Sequence, residues 1–267
     1  MCMDNLRLHG QEPFDIAVVH GGPGVQGEMY PVALEISSEA GVLEPLQTEH
    51  SVEGQVEELK DILESSGSPP LVIIGFSWGA WLSYILTARY PLLVKKLILI
   101  SSGPFEEKYA TQIMETRLSR LSKAEKEEVL SLMSVLDSNN INEKSFARFG
   151  ELMFKADSFD ALPLEHFASE DSPDARIYQQ VWREASKLRS TGELLKLGAS
   201  IQCPVTAIHG SYDPHPPEGI SEPLSRLLRS FKFILLKQCG HYPWLERNAR
   251  DAFYSALKND IGLSTNS

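Results

Sequence analysis

Short apolar runs punctuate this chain, and between them apolar residues return at helical spacing. The runs Phe14–Val19, Gly41–Leu46, Leu71–Phe76, Leu97–Ser101, Pro204–Ile208 and Phe231–Leu236 are apolar at most successive positions rather than only at alternate ones. Strands buried on both faces read this way. Val56, Leu59, Ile62 and Leu63 recur at helical spacing after Ser51, which is placed to cap them. Trp78, Trp81, Leu82 and Ile85 repeat that spacing until Pro91 stops it. Strands alternating with helices predict an α/β fold, a mostly parallel sheet of about six strands with helices on both faces.

The alternation fails between about residues 103 and 200, where the pattern turns helical and strongly charged. Here a helical lid is expected, inserted into a core made of residues 1–102 and 201–261, with a polar tail over 262–267. Ser122 and Glu125 form a capping-box pattern ahead of the stripe Val129, Leu130, Met133 and Leu136, read as ordinary packing surface. A second helical stretch runs through Ile177, Val181, Trp182 and Leu188, behind the breaks at Pro163 and Pro173. Phe146, Phe149, Phe154, Phe159, Phe167, Tyr178 and Trp182 concentrate in this insertion, most as its core and some facing substrate.

Composition narrows the classes. A chain of 267 residues with 42% hydrophobic content is long enough for one large core. A net charge of -11 argues against nucleic-acid partners, which require clustered cations. Three cysteines, Cys2, Cys203 and Cys239, lack framework spacing, and no charged-then-apolar leader opens the chain, so a cytoplasmic location with reduced thiols is expected. Every apolar stretch is far shorter than the roughly 20 residues a membrane span requires. The expected partner is a small-molecule substrate. Neither a metal cluster at ligand spacing nor a cofactor motif is recognised, so none is expected.

The candidate chemistry sits at strand ends. Gly75-Phe76-Ser77-Trp78-Gly79 falls where the third run passes into a helical pattern, the setting of a nucleophile elbow in which a sharp turn lifts Ser77 out as a nucleophile. A serine hydroxyl must lose a proton as it attacks, so it needs a positioned imidazole and a group that orients it. His241, in Cys239-Gly240-His241-Tyr242-Pro243, follows the last strand, with Pro243 suited to the first turn of a closing helix. His9, His50, His166 and His215 lack such placement, whereas His20 and His209 end strands and bond locally to shape their turns. Asp213 follows the fifth run and is the acid candidate, with Glu218 as the fallback. The developing oxyanion requires N–H donors, expected from Trp78 and from Gly22 in His20-Gly21-Gly22-Pro23-Gly24. Gly21, Pro23 and Trp182 are candidate substrate contacts.

Taken together, His20-Gly21-Gly22-Pro23-Gly24, Gly75-Phe76-Ser77-Trp78-Gly79, Asp213 and Gly240-His241 resemble the α/β-hydrolase superfamily over nearly the whole chain. That resemblance implies an α/β-hydrolase fold and a serine hydrolase that cleaves an ester, thioester or small amide. The glycine loop and the G-x-S-W-G elbow look more narrowly like the proline iminopeptidase branch, which implies an aminopeptidase whose lid carboxylates hold a substrate ammonium. Glu165, Glu170, Asp171, Asp174 and Glu184 are the candidates for that task. Two departures stand out: Leu43-Glu44-Pro45-Leu46-Gln47-Thr48 replaces the branch's D-Q-R-G motif, and the first strand begins only near residue 14, where the branch has an additional hairpin. Acyl transfer or a lyase reaction on the same fold is the remaining enzyme reading, and a small-molecule receptor the non-catalytic one.

Overall fold

The computed structural model describes residues 5–136, 142–163 and 173–264. Each apolar run becomes a strand: β2 (Phe14–Val19), β3 (Gly41–Pro45), β4 (Leu71–Phe76), β5 (Val94–Ile100), β6 (Val205–Gly210) and β7 (Phe231–Leu236). A further strand, β1 (Leu6–His9), precedes them and corrects the expectation that the sheet begins near residue 14. Its sequence hid it, because four residues that include Arg7 and His9, with Leu8 54% exposed, make a short edge strand rather than a buried run. The order is β1-β3-β2-β4-β5-β6-β7, with β1 antiparallel to β3 and every other neighbouring pair parallel.

Two cores lie on the two faces of this sheet. Along β4, Leu71 and Ile73 join one cluster while Val72, Ile74 and Phe76 join the other, the two-residue period of a strand covered on both sides. The first face is covered by α2 (Val52–Ser66), α3 (Trp78–Arg89) and α9 (Glu218–Leu227), through residues such as Val56, Leu82 and Ile220. The second is covered by α1 (Tyr30–Ser37) and α10 (Arg250–Ile261), through Val32, Ile36, Phe253 and Leu257. Ser51 caps α2 by accepting the Gly54 N–H at 3.0 Å, and α3 stops at Arg89, two residues before Pro91.

The chain between β5 and β6 is helical: α4 (Ile113–Ser119), α5 (Lys123–Leu136), α6 (Glu143–Asp157), α7 (Ala175–Ser190) and α8 (Glu193–Lys196). The capping box holds, with Glu125 accepting the Ser122 N–H at 2.9 Å. Val129, Leu136, Phe146, Phe149 and Leu152 form a third cluster belonging to α5 and α6. By contrast, Ile177, Val181 and Ala185 of α7 pack into the first core. Glu184 ties the two together by accepting the N–H of Val52, in the first turn of α2, at 2.8 Å.

The closing helix does not begin at Pro243, which instead opens the short 3-10 turn Pro243–Leu245, and α10 starts at Arg250. Glu246 accounts for the interruption. Its buried carboxylate accepts the N–H groups of Gly240, Phe159 and Asp160 at 2.9, 2.8 and 2.7 Å, which holds residue 246 in extended backbone between the turn and the helix.

Candidate active site

The turn between β4 and α3 shows why its two glycines are required. Ser77 sits at φ 51°, a left-handed conformation that costs a non-glycine residue about 1–3 kcal/mol. A β-carbon on Gly75 would collide with the Gly79 carbonyl, and one on Gly79 with the carbonyls of Val19 and His20. The Ser77 N–H donates to the Ile100 carbonyl at 3.0 Å, so the end of β5 braces the turn.

His241 comes from the loop after β7. Its N–H donates to the Asp157 carbonyl at 2.9 Å, and its ring lies 4.9 Å, centroid to centroid, from Phe76. The structure brings the three principal candidates together: Ser77 Oγ lies 3.1 Å from His241 Nε2, and Asp213 Oδ2 lies 2.7 Å from His241 Nδ1. Asp213 and His241 are both buried. An Nδ1–H donated to Asp213 leaves the Nε2 lone pair facing the serine, so a proton can pass from Oγ to Nε2. Burial opposes the Asp213 charge, yet the three imidazoles of His241, His215 and His209 outweigh it and hold the carboxyl well below its usual range. Burial also opposes protonation of His241, and Asp213 overcomes it, so that pKa is raised.

His215 corrects the expectation that it lacks placement. It donates its Nδ1–H at 2.7 Å and its backbone N–H at 3.0 Å to Asp213 Oδ1, with its ring centroid 4.8 Å from that of His241. Burial lowers its pKa to about 4, against the pull of Asp213. The signal was local, since an aspartate bonding the residue two positions on is a common turn device. His20 and His209 do bond locally as expected. Gln47 N–H donates to His20 Nε2 at 3.1 Å, so His20 Nδ1–H donates to the Gly21 carbonyl at 3.0 Å, and His209 Nε2–H donates to the His215 carbonyl at 2.8 Å. Glu218 stays in the first turn of α9 and bonds none of these groups.

A cavity of about 810 Å³ opens over Ser77, walled by the sheet's C-terminal edge, α6 and α7. Gly22, Pro23, Trp78 and Trp182 line it; Gly21 packs behind the wall, where a β-carbon would run into Phe76 and Glu28. Trp78 opens α3, where the first N–H groups have no acceptor within the helix. Its side chain is buried and donates to Gln55 at 2.8 Å. Met133 and Leu136 also reach the cavity, so the stripe of α5 is not packing surface alone. Phe146, Tyr178, Trp182 and Trp81 form a row of rings whose successive centroids lie 4.7, 6.3 and 5.9 Å apart.

Charged groups escaped the sequence reading here. Arg117 meets Asp157 through two bonds of 2.7 and 2.6 Å on the cavity wall. Glu28 stands on the same wall with Oε2 buried and without a partner among the described residues, and burial pushes its carboxyl up to about 8. Two of the proposed ammonium-holding carboxylates act elsewhere: Asp174 accepts the Arg176 and Ile177 N–H groups to cap α7, and Glu184 accepts from α2. Glu165, Glu170 and Asp171 lie outside the described residues, as do His166 and Phe167. Asp213, His215 and His241 also form a group, among the described residues, whose ligand-type atoms lie within 4.8 Å of one another, but their hydrogen bonds to one another and to Ser77 already engage those atoms, which does not fit a metal site. No helix among the described residues is long and apolar enough to cross a membrane.

Residues 34–247 match the family model described as alpha/beta hydrolase fold. Epoxide hydrolase 4 of Mus musculus is 30% identical over 97 residues, which make up 36% of this chain and only 27% of that relative. Among solved structures, VinJ superposes with a TM-score of 0.67 at 15% identity, covering 96% of this chain and 94% of its own. A thermophilic esterase from Thermogutta terrifontis gives a TM-score of 0.63 at 15% identity, covering 96% and 92%. At such identities the superpositions establish a shared fold alone, while the family match extends over most of the sequence. The chain belongs to the alpha/beta hydrolase fold family.

Proposed function

We propose that this protein is a serine hydrolase that cleaves a small-molecule ester, thioester or small amide through an acyl-enzyme. The observation that carries this reading is the continuous path Ser77 Oγ, His241 Nε2, His241 Nδ1, Asp213 Oδ2, with separations of 3.1 and 2.7 Å, at the floor of the cavity. As Ser77 Oγ bonds the substrate carbonyl carbon, its proton moves to His241 Nε2. The Trp78 and Gly22 N–H groups are assigned to the oxyanion, each such donor contributing on the order of 3 kcal/mol. Collapse of the tetrahedral intermediate expels the leaving group, which takes the proton from Nε2, and water then repeats the sequence on the acyl-enzyme. A serine nucleophile argues against epoxide opening, because attack on an epoxide carbon forms an ether, which offers no carbonyl for the water step.

A second reading, an aminopeptidase similar to the proline iminopeptidase branch, has the support of Glu28. Glu28 Oε2 is buried on the cavity wall without a partner among the described residues, and a substrate ammonium beside it would supply the countercharge that favours the ionised carboxyl. Initial rates on p-nitrophenyl acyl esters and aminoacyl p-nitroanilides, with Ser77→Ala and Glu28→Gln beside the parent, test both. Ester turnover lost in Ser77→Ala and indifferent to Glu28→Gln supports the esterase reading; anilide turnover lost in both variants supports the aminopeptidase. Fluorophosphonate labelling that survives Ser77→Ala overturns the nucleophile assignment.

A further inference from the structure

One carboxylate here serves two imidazoles. Asp213 turns Oδ2 to His241 at 2.7 Å and Oδ1 to His215, which approaches with its Nδ1 at 2.7 Å and its backbone N at 3.0 Å. His215 is itself fixed, because its carbonyl accepts from His209 Nε2 at 2.8 Å. All four groups are buried. A carboxylate with one oxygen held by two donors cannot rotate without losing both, so the other oxygen keeps its direction. We propose that His215 is a positioning residue of the active site, holding Asp213 by Oδ1 so that Oδ2 is reserved for His241 and the proton stays on that imidazole.

Two consequences follow from the charge balance. Donors on Oδ1 stabilise the carboxylate form and weaken its pull on the His241 proton. His215 stays neutral, its pKa lowered by burial, so the imidazolium formed on His241 during attack meets no second cation across the 4.8 Å between the rings. The titratable and charged groups around this pair are Asp213, His209, Asp157, Arg117, Glu28 and Tyr242, and substitutions at residue 215 leave all of them in place.

The proposal rests on the serine hydrolase reading, and its test keeps the two apart. The second-order rate of fluorophosphonate labelling is measured against pH for the parent, His215→Phe and His215→Asn, with Ser77→Ala as the blank. Phe removes the side-chain donor; Asn restores an N–H close to the position of the imidazole Nδ1. His215→Phe is expected to label about tenfold more slowly, as loss of a hydrogen bond to a charged group implies, with its acid limb moved to higher pH because Asp213 then binds the imidazolium more strongly. His215→Asn is expected to restore the parental limb. A Phe variant that keeps the parental limb, or an Asn variant that fails to restore it, overturns the proposal and leaves His215 a packing residue. His215→Ala replaces the Phe variant if thermal melting shows the latter unfolded. Labelling that persists in Ser77→Ala overturns the hydrolase reading instead.

Discussion

At φ 51°, Ser77 holds a backbone conformation that its neighbours enforce, and the crowding at Gly75 and Gly79 sets how little they can change. Gly79→Ala would drive a methyl group into the carbonyls of Val19 and His20, the latter opening the glycine loop, so the turn must shift. Ser77 then leaves His241, and since a displacement of about 1 Å is enough to cost on the order of 10²-fold in rate, ester turnover or labelling by Gly79→Ala is expected to fall by about that factor. The pH response is also set at this scale. Only neutral His241 can accept the serine proton, and Asp213 raises its pKa, so activity should climb with pH through a limb lying above the ordinary histidine value of 6.5. Replacing Asp213 with Asn removes the cause of the shift, and the limb is expected to move down along with a large loss of rate. The candidate residues recognisable from sequence were those whose placement follows from local backbone demands: glycines flanking a serine, an acid and a histidine just past strands. His215 and Glu28 were not, since their importance lies in which atoms are left bonded or unbonded after the chain has folded.

Elements position these residues through a few buried polar clamps, and Glu246 is the strongest case. It joins the loop carrying His241 to the segment after α6 through three N–H donors, while the Asp157 carbonyl receives His241 itself. Glu246→Ala would leave the Gly240 N–H buried without an acceptor, a penalty of about 1–3 kcal/mol, and would release the more exposed Phe159 and Asp160 N–H groups as well. The variant is expected to lose roughly 2–5 kcal/mol of stability by denaturant unfolding and to lose turnover as well, because the same loop carries His241, the proposed base. Glu184→Ala removes a single acceptor from the start of α2. The expected loss there is about 1 kcal/mol, with labelling of Ser77 unchanged. Six of the seven strands were legible because each is apolar at most successive positions, and α2 and α3 because Ser51 and Pro91 mark their limits. β1 was not, as an edge strand needs few apolar positions. Glu246 was invisible for a different reason: its three partners lie 6 to 87 residues away in sequence.

Across the whole molecule, the cavity is a joint between layers. Its floor is the C-terminal edge of a sheet with two cores, and its roof combines α6, packed with α5 in a cluster of its own, with α7, packed on the main core. Met114, Met133, Leu136, Phe149, Met153 and Trp182 make much of that roof apolar, and methionine side chains adapt to ligands of differing shape. A space of about 810 Å³ lies toward the upper end of ordinary small-molecule pockets, larger than an acetyl group can fill. Under the proposed ester chemistry, each methylene added to the acyl chain should therefore leave water for an apolar wall. At about 0.8 kcal/mol per methylene, kcat/KM is expected to rise by up to about fourfold per added carbon until the roof is reached, and to fall beyond it. Trp182→Ala opens the roof where Trp182 stacks on Trp81 with the rings 2° from parallel. The optimum should then move to longer chains, with acetyl ester turnover little changed. Rates on p-nitrophenyl esters of increasing chain length, measured for the parent and this variant, check both statements. A flat series would mean that the acyl group does not enter this cavity, and an unmoved optimum that Trp182 does not bound it.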